Sequence, residues 1–178
     1  MNLNEERKIL EVAKGYLGEH EISGNKGFVN PEFEEQMRIV GWQPPFAWCS
    51  YFTMLVWRMA YGQLNSYIEH DLRSIMSPSA TATFNNFRRS PSYKRYVSKE
   101  PVPGAIIAFQ YGKDWRGHIG IVETVRGKSM VCIEGNTNSK GGREGIEVAR
   151  INRQLDFTFR EKGLNLMGFV HPPLIDNH

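Results

Sequence analysis

Three residues of this chain have side chains and placements that could support covalent chemistry: Cys49, His118 and Glu134. Cys49 follows the tight run Pro44-Pro45-Phe46-Ala47-Trp48 and opens an almost wholly apolar stretch to Tyr61 that reads as a buried helix. A thiol at a helix N-terminus meets unpaired backbone N–H groups and the positive end of the helix dipole. Both favour the thiolate, the form that attacks a carbonyl carbon. A histidine beside it can take the thiol proton and return it to a leaving amine, and a carboxylate behind the histidine fixes its tautomer and favours the imidazolium. The N–H groups at the helix start would face the oxyanion. Taken singly, Cys49 is more often a structural thiol, His118 a satisfied strand histidine and Glu134 a strand-end charge. Their combination is what points to chemistry. Cys132 is expected to be a small core residue with no chemical role.

The element that must bring His118 and Glu134 together is a hairpin between His118 and Asn138. With Arg126-Gly127-Lys128 as a three-residue turn, opposed residues sum to 254, so Val122 faces Cys132, Gly120 faces Glu134 and His118 faces Asn136. These even-numbered positions share one face, and Glu134 lies diagonal to His118 with Gly120 leaving room between them. A two-residue turn would shift the register and send Glu134 to the other face, unless a bulge restores it. The same parity excludes Glu123 as the orienting acid.

Around this hairpin the sequence predicts helices first and strands afterwards. A first helix starts near Asn4-Glu5-Glu6, with Ile9, Leu10, Ala13, Tyr16 and Leu17 at helical spacing. A Gly- and Asn-rich loop covers Glu19 to Asn30, and Asn30-Pro31 then reads as an N-cap with proline at the first helical position. The Cys49 helix stops near Gly62, and Ser77-Pro78 opens another with Ala80, Phe84 and Phe87 on one face. Ser90 to Pro103 reads as a polar, basic loop. Strands are expected over Ala105–Gln110, His118–Val125, Ser129–Glu134, Ile146–Ile151 and Met167–Val170, with Phe157 and Phe159 packed down from an irregular loop. The fold class is therefore α+β with an antiparallel sheet.

At 178 residues the chain fits one domain spanning residues 1–178, with 40% hydrophobic and 23% charged residues, as in an ordinary globular protein. No apolar run approaches the roughly 20 residues that cross a bilayer, so no membrane insertion is expected. The start, Met1 to Arg7, is polar where a secretory signal would be basic and then apolar. Synthesis in the cytoplasm is the expectation, with action elsewhere only after release or delivery. Two cysteines make no disulfide framework or structural zinc site, and a net charge of +3 gives no case for a nucleic-acid partner. A monomer is expected.

The run Trp48-Cys49-Ser50, Pro103-Gly104 before a strand, His118-Ile119-Gly120-Ile121-Val122 and Glu134-Gly135-Asn136 together resemble the CHAP amidohydrolases of the papain-like, NlpC-type superfamily. The resemblance extends to Tyr16-Leu17-Gly18 with Glu21 and Gly24-Asn25, and to the ending Gly168-Phe169-Val170-His171-Pro172. It implies a papain-like fold and cleavage of an amide bond in peptidoglycan or its muropeptide fragments. By matching positions, it makes Cys49 the nucleophile, His118 the base, Glu134 the orienting acid and Asn136 a supporting polar group, with Glu21 and Asn25 near the groove. Trp48 and Trp115 could line that groove or simply pack. Many relatives have an acidic residue where this chain has Ala105. Some relatives carry calcium-binding aspartates shortly before the cysteine, whereas Gly41 to Trp48 holds no carboxylate, so a metal-independent enzyme without cofactor is expected. The competing expectations are a cysteine amidohydrolase acting on a non-wall amide, and a wall-binding module that keeps the fold without catalysis.

Overall fold

The computed structural model describes residues 3–137 and 145–175. The far end of the expected hairpin, at Asn138, lies outside the described residues. Among the described residues, five α-helices precede the main sheet: α1 (Leu3–Gly15), α2 (Pro31–Ile39), α3 (Cys49–Gln63), α4 (Ile68–Ile75) and α5 (Ala80–Arg89). Between α1 and α2 lie two short strands, β1 (Glu21–Ile22) and β2 (Gly27–Phe28), which pair with each other. Then follow β3 (Val97–Ser98), β4 (Ile106–Tyr111), β5 (Gly117–Arg126), β6 (Ser129–Thr137), β7 (Glu147–Gln154) and β8 (Leu164–Val170), joined in one antiparallel sheet of order β3-β8-β4-β5-β6-β7. The α+β expectation holds, with Cys49 as the first residue of the central helix.

Helix α2 begins as its sequence dictates. Asn30 caps it by accepting from the Glu32 N–H, and Pro31 fills the first turn, where no donor is needed. Helix α5 starts two residues later than expected, because Ser79 rather than Ser77 supplies the capping oxygen, to the Ala82 N–H. Helix α4 and strands β1 to β3 are absent from the sequence reading. The α4 signal is present in Ile68, Leu72 and Ile75, all buried at spacings of four and three, but it is short and set among charges. Phe157 and Phe159 correct their expectation: both are exposed, and the ammonium groups of Lys99 and Lys113 lie over their rings at 5.3 and 5.8 Å.

The sheet carries a core on each face. The larger joins the helices to Ile106, Ala108, Ile119, Ile121, Ile133, Val148 and Val170, while the smaller gathers Ala105, Ile107, Phe109, Val122, Met130, Cys132, Leu166 and Phe169. Helix α3 sits in the larger core, packed against α1, α4, β5 and β6, which is why it is apolar on nearly every side. Its first turn is brought close to β6 by Gly135, where an added Cβ would fall 2.6 Å from the Trp48 ring and 2.8 Å from Phe52.

The hairpin turn differs from the expected one. Arg126 pairs with Ser129, leaving a two-residue turn, Gly127-Lys128, with Gly127 at φ 59° in its first position. That register would send Glu134 to the wrong face. A β-bulge between Val122 and Thr124 compensates, so that Val122 faces Cys132 and Ile121 faces Ile133, as in the register expected for the outer half of the hairpin. The bulge residue, Glu123, is held by Arg150 at 2.7 and 2.9 Å and by Lys14 at 3.5 Å.

Candidate active site

His118 stands near the start of β5, opposite Phe109 of β4. Its Nε2 meets Glu134 Oε2 at 2.7 Å. Gly120 makes this approach possible, since a Cβ there would lie 2.5 Å from Glu134 Cγ. The Cys49 side chain lies close enough to the same imidazole to favour its protonated form. With Nε2 committed to Glu134, Nδ1 is the nitrogen left for the thiol. Cys49 is half-buried.

Glu134 is fully buried, and a buried carboxylate needs more than one donor. Arg153 of β7 supplies the others: Nε donates to Oε1 at 2.8 Å and Nη2 to Oε2 at 2.6 Å. The guanidinium in turn lies 4.9 Å from the centre of the Phe109 ring. Burial pushes the Glu134 carboxyl up, but His118 and Arg153 outweigh it and hold the pKa down at about 2. For His118, burial opposes the imidazolium, yet Glu134 and the Cys49 side chain overcome it and raise the pKa to about 10. Both directions favour a charged carboxylate facing a charged ring. Cys132, two residues before Glu134 on β6, is buried, and burial pushes its thiol well above the ordinary range, as befits an inert core residue.

Asn136 takes a different place from the one the register implied. The paired register of β5 and β6 starts at Ile121 opposite Ile133, and Asn136 adopts a left-handed backbone with φ 53° next to a register break with β7. Its Oδ1 accepts from the Trp48 N–H at 2.7 Å and its Nδ2 donates to the Gly145 carbonyl at 3.0 Å. Asn136 thus fixes the residue immediately before the nucleophile and leaves His118 to Glu134.

Trp48 corrects the groove expectation: it is 0% exposed and has no surface to offer a substrate. Its ring packs edge-on against Phe28 and Phe52, with centroids at 5.0 and 6.5 Å, and its indole N–H donates to Glu21 Oε2 at 2.5 Å. Glu21 is itself buried, so it reaches the site only by holding Trp48. Asn25 is tied to Glu21 by its backbone N–H at 3.3 Å, and its Oδ1 is buried with no partner among the described residues. Upstream, the Trp42 indole donates to the Phe46 carbonyl at 2.8 Å and braces the loop containing the cis Pro44-Pro45 peptide. Trp115, in contrast, is 77% exposed on the β4–β5 turn, where its carbonyl accepts from Thr81 Oγ1 at 2.7 Å.

Arg153 is the residue that sequence reasoning misses. Strand pairing places it opposite Met130 rather than Glu134, so register arithmetic gives no reason to join them. A demand for a second donor to a buried carboxylate would have pointed to a basic residue on the neighbouring strand.

Residues 41–136, which contain Cys49, His118, Glu134 and Asn136, match the model of the CHAP domain family. A comparison with curated proteins finds no match. Among solved structures the fold is similar to that reported as "The crystal structure of Ly7917", with a TM-score of 0.53, 16% identity and coverage of 94% of this chain and 62% of that one. This chain therefore spans about three-fifths of that longer relative, and the likeness concerns the fold alone. With the family matched over more than half of its length, the chain belongs to the CHAP domain family, whose members are typically cysteine- and histidine-dependent amidohydrolases.

Proposed function

We propose that this protein is a peptidoglycan hydrolase that cleaves an amide bond through Cys49. The observation that carries this reading is the imidazole of His118, held at 2.7 Å by the buried Glu134 carboxylate and close to the Cys49 side chain at the start of α3. His118 takes the thiol proton, and the Cys49 thiolate attacks the amide carbonyl. The tetrahedral oxyanion is met by unpaired N–H groups in the first turn of α3. The Trp48 N–H is not among them, being occupied by Asn136. The imidazolium then protonates the leaving amine as the C–N bond breaks and the acyl-enzyme forms. A water molecule, deprotonated by the neutral imidazole, releases the acid and restores the thiol. Throughout, Glu134 keeps the ring oriented and its positive charge compensated.

Membership of the CHAP family favours the cell wall as the source of the amide: the bond between muramic acid and the stem peptide, or one within the peptide. The exposed Trp115 indole, on the turn three residues before His118, offers an apolar face for glycan or peptide. Because the chemistry is complete with Cys49, His118 and Glu134, turnover is expected to proceed without metal or cofactor.

The test is to incubate the protein with purified peptidoglycan and identify new chain ends by mass spectrometry, with Cys49→Ala alongside. New amine and carboxyl ends from the parent protein, reduced about ten-thousand-fold or more in the variant, are expected. Equal release by Cys49→Ala, or no new ends, overturns the proposal and leaves the binding module or a non-wall amide. Repeating the assay in EDTA should leave release unchanged; a loss that calcium restores would overturn the metal-free reading.

A further inference from the structure

The bidentate grip of Arg153 on Glu134 has no part in the bond-making steps, yet it uses the same carboxylate as His118. Three groups converge there from three strands. His118 of β5 and Arg153 of β7 both donate to Oε2 of Glu134 on β6, at 2.7 and 2.6 Å, while Arg153 Nε takes Oε1 at 2.8 Å. From β4, Phe109 closes the set, directly opposite His118 and with its ring 4.9 Å from the guanidinium. Among the described residues, the other titratable neighbours are the thiol of Cys49, close to the imidazole, and the buried thiol of Cys132 near the carboxylate. A guanidinium fork matches the two oxygens of a carboxylate and so fixes its orientation, and stacking on an aromatic ring fixes the fork.

We propose that Arg153 is a positioning residue of this site: it locks the Glu134 carboxylate in the orientation that meets His118, and as a permanent cation on the same oxygen it restrains the basicity of the imidazole. This rests on the reading of Cys49, His118 and Glu134 as the reacting set. The second role follows from sign alone. A fixed positive charge near a group that becomes positive on protonation makes that protonation harder, whereas an unshared Glu134 would pull the proton onto His118 more strongly. Restraint matters because His118 must be an acid in one half of the cycle and a neutral base in the other. An imidazole that holds its proton too tightly stalls hydrolysis of the acyl-enzyme. Arg153 also keeps Glu134 ionised, so the proton stays on the ring instead of crossing to the carboxylate.

Arg153→Met removes the charge and keeps an apolar chain against Phe109. The readout that packing alone would not move is the titration of His118, followed by imidazole NMR in the Cys49→Ala background, where the thiolate no longer holds the ring proton. The signal lost in His118→Gln provides the assignment. The His118 midpoint is expected to rise by about one pH unit with Arg153→Met and to stay near its original value with Arg153→Lys, which keeps the cation. In the otherwise unaltered enzyme, Arg153→Lys should lower kcat several-fold with KM little changed, because one ammonium cannot reproduce the fork. In a Glu134→Gln background neither substitution should reduce kcat further. An unmoved midpoint in folded Arg153→Met overturns the restraint, and wild-type kcat in Arg153→Lys overturns the lock. If Arg153→Met does not fold, Arg153→Lys alone decides: a downward or upward shift of its midpoint by a full unit rejects the charge argument. The titration needs no substrate. A moved midpoint in a protein that releases nothing from peptidoglycan would uphold the role of Arg153 and reject the wall as substrate.

Discussion

The two flanks of the candidate site are held by different forces. On the nucleophile flank, Cys49 is placed by packing and by hydrogen bonds to the backbone: Trp48 buried among aromatic rings, its N–H on Asn136, its indole on Glu21, and Gly135 admitting β6 against the start of α3. On the base flank, His118 is placed by charge: the imidazole, the Glu134 carboxylate and the Arg153 guanidinium share one buried cluster. Packing fixes where an atom is, but it does little to decide where a proton resides. Charges at about 3 Å in a poorly solvated place decide the second and contribute to the first. The nucleophile flank should therefore respond to mutation mainly in stability, and the base flank mainly in turnover and pH dependence.

The largest effect that separates the flanks is expected from Glu134→Gln. It keeps the shape of the side chain and removes the charge, so kcat should fall about a thousandfold with a much smaller change in KM. Steady-state kinetics on a soluble muropeptide would show this, and unchanged turnover would remove Glu134 from the reacting set. Asn136→Ala tests the other flank. It leaves the Trp48 N–H and the Gly145 carbonyl without their partner, at a cost of about 2 kcal/mol in unfolding free energy, with turnover reduced only about tenfold. A variant as stable as the parent but without activity would place Asn136 with the chemistry instead.

On the base flank, two buried groups have strongly moved pKa values. The pKa of Glu134 is lowered to about 2, so its contribution to stability is present above its ordinary value of 4.5 and is lost as pH falls toward 2. The pKa of His118 is raised to about 10, so its contribution is full below its ordinary value of 6.5 and is lost as pH rises toward 10. Both contributions are complete only between pH 4.5 and 6.5. Denaturant midpoints measured across pH should peak in that window and flatten in Glu134→Gln; a profile that is the same in both proteins would break the contrast. The smallest effect belongs to Trp115→Ala, outside both flanks. Stability should stay within about 0.5 kcal/mol, because the side chain is exposed, while KM rises a few-fold. An unaltered KM would return Trp115 to the bare surface.

Much of the arrangement was legible from residue types and periods. The apolar run after Trp48 could be nothing but a buried helix, and Asn30-Pro31 could only begin one. The alternation in β5 and β6 placed His118 and Glu134 on one face. The turn is one residue shorter than its sequence suggests, and the bulge at Glu123 cancels the shift. A bulge leaves no mark in the alternation that a longer turn would not leave equally. Helix α4 escaped because two buried turns among charges give too short a pattern, and β1 to β3 because a two-residue strand has no period at all.

The sequence by itself determined which side chains could react and which elements carry them, because helix caps, apolar periods and strand alternation are local properties of the chain. Only the tertiary structure decided what surrounds them. Asn136 on the Trp48 N–H, Trp48 turned inward onto Glu21, and Arg153 on Glu134 join residues far apart in the chain. Such contacts arise from the curl of the sheet and from the need of each buried polar group to find a partner, and neither is written in any local stretch of sequence.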